Sequence, residues 1–260
     1  MNREALQPDR QFANTLARGL EMLLCFTPER NVLANRDFVE RTGLDKATVS
    51  RLAYTLVQLG YLRHDAQRGS YRLGAAALTM GYPLLASMTL RQAVRPRIRE
   101  LADEVGGMVG ISIRDRTQMI YMEAFRSRHD EAPPVDIGAS FPIVVSANGH
   151  AWLARATPAE RNQVLNQLRV REPTLYAQRI GQVRESLRDF AQQGYCATPG
   201  HLRPGRLALA VPMTRLVHAE IVVFNCTVPL LGRASRSLQA SVGPRLVTLV
   251  RDIESDVAMT

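Results

Sequence analysis

Lysine is nearly absent: of 33 basic residues, Lys46 is the single lysine. The positive charge is therefore arginine's. Cysteine is scarce as well. Cys25, Cys196 and Cys226 are odd in number, widely spaced and set among apolar neighbours. This excludes a disulfide framework and gives no metal-ligand spacing, so they read as reduced core residues. No apolar run approaches a membrane span in length, and Met1–Asp9 is polar, without the apolar centre of a signal peptide. A cytoplasmic protein with no membrane partner is expected. There is no HExxH pair, no Cys/His spacing of the zinc type and no glycine-rich phosphate loop, so no metal or cofactor is expected. What remains is an ordinary globular composition, 46% hydrophobic and 22% charged. At 260 residues the chain is longer than one typical domain.

The net charge of +9 favours nucleic acid as a partner, but charge does not say where. Residues 1–74 hold 11 basic and 8 acidic side chains, and the remaining excess of 6 lies in the larger C-terminal part. Pattern is the better guide. Residues 31–73 read as a short helix, a tight turn, an amphipathic helix and a two-stranded ribbon. That order is a winged helix-turn-helix, which offers its second helix to the major groove.

The first helix spans about Asn35–Arg41, with Asn35 as its cap. Phe38 and Val39 point inward, and Gly43 supplies the exit. Asp45 caps the helix that starts at Lys46. On that helix Val49, Leu52, Leu56 and Leu59 share one face, and Ala47, Ser50, Arg51, Tyr54 and Gln58 share the other. Lys46 and Thr48 lie in its first turn, where side chains reach base edges. Tyr61–His64 and Ser70–Leu73 read as the wing strands around Asp65–Gly69. The candidate DNA contacts are Arg36, Lys46, Ala47, Thr48, Ser50, Arg51 and Tyr54, with Arg63 and Arg68 as wing contacts to phosphate. By pattern alone, an ordinary surface helix pair beside a hairpin remains the alternative.

The stretches TGLDKATVSRLAYTLVQLGYL, YRLGAAALTMGY and QAVRPRIRELADEVGGMVGISI, then IGASFPIVVSANGHAWLA and the GY…PG…LALAVP…VVFN run, follow one another in order. This ordered set resembles the IclR (isocitrate lyase regulator) family of bacterial transcription regulators, across about nine-tenths of the chain. The resemblance implies a winged helix-turn-helix over residues 10–74, a linker helix over 75–89 and a GAF-like effector-binding domain over 90–258. The fold class is then α+β. It also implies a homodimer on a palindromic double-stranded operator, with a homotetramer as a further possibility, since IclR-like proteins dimerise around the linker.

Local patterns fill in this frame. Thr15–Phe26 reads as an opening helix whose Leu16, Leu20, Leu23 and Leu24 close the first core. Leu73–Ser87 reads as an apolar linker helix ended or kinked at Pro83. Leu90–Val105 is a helix with Pro96 near its start and Arg95, Arg97 and Arg99 as solvated charges. Met108–Arg114 and Gln118–Ala124 pair as strands. Phe141–Val145 reads as a strand that runs into a helix near Ser146. Helices are expected over Ala159–Leu168, Ile180–Gln193 and Ser235–Val257. Strands are expected over Gly194–Thr198, Leu207–Met213 and Ile221–Val228.

The junction SANG (Ser146–Gly149) is the candidate binding element. Its small residues admit a ligand to the backbone, and free amides at a helix start favour a carboxylate; a plain helix cap is the alternative. By matching motifs, the resemblance implies that Phe141, Ala147 and Asn148 contact the effector, with Thr198, Ala208, Asn225 and Thr227 facing them. Thr198 stands where the glyoxylate- and pyruvate-binding pattern has an acid, and Ala208 where it has a cysteine. The FANTLARGL and MGYP stretches are nearer the branch that regulates aromatic-acid catabolism. A small organic acid, aromatic by that likeness, is the expected effector.

The competing function class is a small-molecule enzyme, a hydrolase or metal-dependent enzyme using the C-terminal domain. Of His64, His129, His150, His201 and His218, only His201 offers a generic nucleophile–base pair, with Cys196. A non-enzymatic interaction protein that has lost its ligand is a third class. No catalytic residue is assigned.

Overall fold

The computed structural model describes residues 11–133, 135–200 and 204–257. The chain forms two compact units that divide between Ser87 and Met88. In the first unit, α1 (Asn14–Leu23), β1 (Leu33–Ala34), α2 (Asn35–Thr42) and α3 (Lys46–Gln58) precede the hairpin of β2 (Leu62–Asp65) and β3 (Ser70–Leu73). Helix α4 (Ala75–Ser87) follows the hairpin directly. The small sheet has the order β1-β3-β2, antiparallel throughout. Met22, Leu33, Phe38, Leu44, Val49, Ala53, Leu56, Leu62 and Tyr71 form its core.

The turn between α2 and α3 is fixed by two devices. Gly43 closes α2 in the left-handed region, at φ 67°, where a Cβ would be strained. The Asp45 carboxylate then accepts the Thr48 amide at 2.8 Å and the Thr48 hydroxyl at 2.7 Å. Exit and entry thus lie within three residues, and the two helices pack as a pair.

Several expectations change here. Asn35 does not cap α2. Ala34 is drawn into β1, so the cap position falls one residue earlier, and Asp37 accepts the Ala34 amide at 2.6 Å. In α3, Ala53 rather than Leu59 completes the inner face, because Leu59 is the C-cap and is exposed. In α1 the buried residues are Gly19 and Met22, while Leu16, Leu20 and Leu24 are exposed. Met22 with Phe38 fills this core and Leu23 packs half-buried against it, which leaves Leu16, Leu20 and Leu24 on the surface. The apolar α4 buries no residue either, and Pro83 lies within it.

The second unit starts with α5 (Thr89–Val105). There follow β4 (Met108–Asp115), β5 (Gln118–Arg126), β6 (Ser140–Pro142), α6 (Ala147–Arg155), α7 (Pro158–Arg171) and α8 (Pro173–Gln193). Strands β7 (Cys196–Pro199), β8 (Arg206–Pro212) and β9 (Val223–Pro229) and helix α9 (Ser235–Val257) complete it. The six strands form one antiparallel sheet in the order β6-β5-β4-β9-β8-β7. Helices α6, α7 and α8 close a core with Met119, Cys196, Ala210 and Val223 of the sheet. The alternate strand residues Val109, Ile111, Leu209 and Cys226 are buried as well, so both faces of the sheet are covered, with α5 and α9 packed on β4, β5, β8 and β9.

Pro96 lies two turns into α5, not at its start. Arg95, Arg97 and Arg99 are not merely solvated. Arg95 lies 3.4 Å from the buried Glu123 carboxylate, Arg97 pairs with Asp256, and Arg95 and Arg99 each sit 5.5 Å from the Phe125 ring centre. The strand expected over Phe141–Val145 is shortened to Ser140–Pro142, because residues 143–145 turn to meet α6. Gly194 is the left-handed cap of α8, at φ 79°, so β7 begins at Cys196. Helix α8 starts at Pro173, ahead of the expected Ile180.

Candidate functional site

Two places carry function-bearing side chains, one in each unit. In the first, the outer face of α3 is open. Lys46, Ala47, Ser50, Arg51 and Tyr54 are all exposed, and Tyr54, at 67% exposure, is a large ring with nothing over it. Thr48 differs: it is half-buried, and its hydroxyl donates to Asp45. Its hydroxyl hydrogen is thus committed to holding the helix start. Asn35 on α2 donates to the Ser50 hydroxyl at 3.5 Å, which ties the two helices at the same end. Arg36 is exposed, 3.9 Å from Asp37.

On the wing, Arg63 and Arg68 are exposed. The Asp65 carboxylate accepts the Gln67 and Arg68 amides at 3.1 and 3.2 Å and so shapes the turn. Arg72 was missed by pattern reading. It stands directly across the ladder from Arg63, and both are exposed. Like charges opposed on one sheet face repel, and a polyanion relieves that repulsion. The signal was available in the hairpin register, once Leu62 is paired with Leu73.

In the second unit a cleft opens where the first turn of α6 meets the sheet. Its volume is about 500 Å³ with the mouth included. Phe141, Ala147, Asn148, Thr198, Ala208 and Thr227 line it, as do Met108, Tyr121, Val135, Val145, Ser146, Pro199 and Gly200. No charged side chain is among these lining residues. The Tyr121 and Phe141 rings meet edge to face, with centres 5.6 Å apart.

The local sequence explains why the cleft forms here. Ser146 caps α6, its hydroxyl accepting the Gly149 amide at 3.1 Å. The amides of Ala147 and Asn148 have no partner further back in the helix. Gly149 lies against the backbone: a Cβ there would come within 1.9 Å of the Ile143 carbonyl oxygen. Only glycine lets the helix start approach so closely. The Asn148 amide donates to the buried Ser112 hydroxyl at 3.0 Å, so the junction is bolted to β4.

Asn225 departs from expectation, since it does not line the cleft. It pairs with Gly110 and Ala210, one row deeper than Thr227. Its side-chain oxygen and nitrogen are buried and have no hydrogen-bond partner in the protein. The other buried polar group of note is His150, whose ring meets Ser186 at 2.8 Å and the Val144 carbonyl at 3.0 Å. Cys196 is fully buried, and burial together with Asp189 pushes its thiol up to about 12. His201, its suggested partner, lies outside the described residues.

The chain matches the IclR helix-turn-helix domain over residues 15–66 and the C-terminal domain of bacterial IclR transcriptional regulators over residues 83–258. It belongs to the IclR family. It is a transcriptional regulator with an N-terminal helix-turn-helix domain and a GAF-like C-terminal domain. The regulator TsaQ1/TsaQ2 of Comamonas testosteroni is 30% identical over 246 residues, which are 94% of this chain and 88% of that one. The Pca regulon regulatory protein of Pseudomonas putida is 25% identical over 96% of this chain and 86% of its own. Among solved structures, an IclR-family regulator from Brucella abortus superposes with a TM-score of 0.86 at 37% identity, covering 98% of this chain and 97% of that one. An IclR homologue from Microbacterium hydrocarbonoxydans, solved in complex with 4-hydroxybenzoate, shares the fold, with a TM-score of 0.68 at 23% identity over 93% and 99% of the two chains.

Proposed function

We propose that this IclR-family regulator binds a palindromic operator as a dimer, and that an aromatic carboxylate held in the α6 cleft controls that binding. One observation carries the effector reading: the described residues that line the cleft are apolar or uncharged, with an aromatic corner at Tyr121 and Phe141. A flat apolar ring suits such a lining. A carboxylate would rest on the amides at Ala147 and Asn148. A ligand reaching one row deeper would meet the unpartnered amide of Asn225. The Microbacterium homologue's 4-hydroxybenzoate is in keeping with this class.

In this reading Arg36, Lys46, Ala47, Ser50, Arg51 and Tyr54 meet the major groove. Thr48 acts through Asp45, and Arg63 and Arg68 meet phosphates. Residues 10–74, 75–89 and 90–258 act as DNA-binding, linking and sensing segments. One recognition helix reads few bases, and two-fold pairing doubles the contacts. The exposed stripes of α1 (Leu16, Leu20, Leu24) and α4 (Leu78, Met80, Tyr82, Leu84) are the surface such pairing would bury. Tetramers through the sensor domains would extend the same assembly. Among the described residues no helix is long and apolar enough to cross a membrane, in keeping with a cytoplasmic site of action. Enzymatic use of Cys196 is disfavoured, because a buried thiol with so high a pKa supplies almost no thiolate.

The test is genome-wide mapping of bound DNA, followed by mobility shifts on the recovered sites. Benzoate, 4-hydroxybenzoate and pyruvate are each added in turn. The expected result is a palindromic site whose affinity changes with the aromatic acids. Site-specific binding that responds to pyruvate alone would refute the aromatic reading, and no specific site would refute the regulator reading.

A further inference from the structure

A carboxylate in a cleft with no charged side chain among its described lining residues leaves a question: what balances its charge? Taking an ionised carboxylate out of water is costly unless it is paired, and two helix-start amides offset only part of that cost. Among the described residues the buried arginine is Arg206, at the start of β8. It is two residues before Ala208 on the same strand, so both side chains stand on the face that carries the cleft. Its backbone carbonyl accepts the Gly200 amide at 2.8 Å, and its Nη2 donates to the Thr227 carbonyl at 3.4 Å. Gly200, Ala208 and Thr227 all line the cleft.

The guanidinium is only half used. Asp130 takes one edge of the fork, accepting Nη1 at 2.9 Å and also Nη2. The other edge consists of Nε and the second hydrogen of Nη2. There Nε is buried with no hydrogen-bond partner, and Nη2 has only the long contact to Thr227. A planar fork of five donors holds two carboxylates, one on each edge. The Arg206 residue is 9% exposed and Asp130 is 5% exposed, so the open edge is not satisfied by bulk water.

We propose that Arg206 is the cationic anchor of the effector site. Its Nε–Nη2 edge takes the effector's carboxylate beside Thr227, and Asp130 holds the guanidinium in position from the opposite edge. The ligand class is a monoanionic carboxylate. This rests on the effector reading above, but it concerns the anion rather than the ring. Asp130 is a positioning residue in this arrangement.

The experiment uses the full-length chain and two variants. Asp130→Asn keeps the guanidinium. Asp130→Asn with Arg206→Gln removes both charges while keeping size and polarity, so no buried ion is left unpaired. Circular dichroism checks that each is folded. Thermal melts are run with sodium formate against matched sodium chloride. Calorimetry then compares 4-hydroxybenzoate with 4-hydroxybenzamide, its neutral analogue. Formate should stabilise wild type and Asp130→Asn in a concentration-dependent way and leave the double variant unmoved. Wild type should prefer the acid over the amide by about tenfold or more, as expected for hydrogen bonds to a charged group. The double variant should lose that preference and keep its affinity for the amide. An equal formate response in wild type and double variant, or none in wild type, overturns the anchor whatever the aromatic acids do. A formate response that tracks Arg206, with no binding of either aromatic probe, keeps the anchor and refutes the aromatic ring instead.

Discussion

Replacing Gly149 by alanine puts one methyl group at the tightest backbone approach of the cleft. The new Cβ would lie 1.9 Å from the Ile143 carbonyl oxygen, 2.5 Å from its carbon and 2.6 Å from the Ile143 Cα. All three are backbone atoms, so no side chain can swing aside. The start of α6 must back away by more than an ångström, pulling against the Ser146 cap and the Asn148–Ser112 bond. Overpacking of this kind costs about 1–3 kcal/mol or more, and alanine's better helix propensity returns at most about 1 kcal/mol. A clash with three backbone atoms belongs at the upper end of that cost, about 2–3 kcal/mol net of the propensity gain. For a domain of this size each kcal/mol moves the melting temperature by roughly 2–4 °C, so a fall of roughly 4–12 °C is expected. Gly181→Ala is the control. It sits in α8 with nothing within 4 Å of the new Cβ, so it should be neutral or stabilising by up to about 1 kcal/mol. Calorimetric melts of the three proteins decide the matter. If Gly149→Ala melts with wild type or above it, the close approach does not hold the cleft as argued.

The remaining expectations concern DNA, acid and the pocket. Arg51→Ala should cost roughly 1–3 kcal/mol at the operator; a mobility-shift affinity within twofold of wild type would remove Arg51 as a base reader. Removing Arg63 or Arg68 should weaken all DNA alike and lower the slope of log affinity against log salt by about 1, so an unchanged slope would place the wing off the backbone. Burial works to raise the Asp130 carboxyl, but the hydrogen bonds it accepts from Arg206 and the Ala132 amide, with the Arg206 and Arg126 charges, together outweigh this and hold it below its ordinary 3.8. Its stabilising effect is therefore full above pH about 4 and is lost as pH falls through the lower folded value. Denaturant melts between pH 6 and 2 should show a shallower acid limb for Asp130→Asn, and identical limbs would refute the linkage. Ala147→Leu should fill the cleft, so that operator affinity stops responding to the cognate acid; a full response would move the pocket elsewhere.

The first unit was legible because its signals are local. Gly43 and Asp45 lie two residues apart, and each specifies its own backbone state without help from distant chain. The hairpin register likewise follows from a short turn and alternating side chains. The misreadings were also physical. Asn35 is a good cap by type, but β1 claimed Ala34 and moved the helix start beneath it. The leucines of α1 have the spacing of a core stripe, and spacing cannot say which body they pack against. Met22, off that stripe, fills the space beside Phe38, which leaves the stripe for another surface.

The cleft was legible only in part, for a different reason. Phe141, Ala147, Asn148, Thr198, Ala208 and Thr227 came from motif resemblance, which marks positions but not depth. Asn225 shares a strand face with Thr227 and yet is absent from the lining, one row further along the ladder beside Gly110 and Ala210. The Asp130–Arg206 pair left no trace in the pattern, because its members are 76 residues apart and each looks like an ordinary surface charge. Two charges that far apart become informative only when the sheet buries them together. An aspartate that holds one edge of an arginine and leaves Nε unpartnered then says more about the chemistry of the site than either residue says alone.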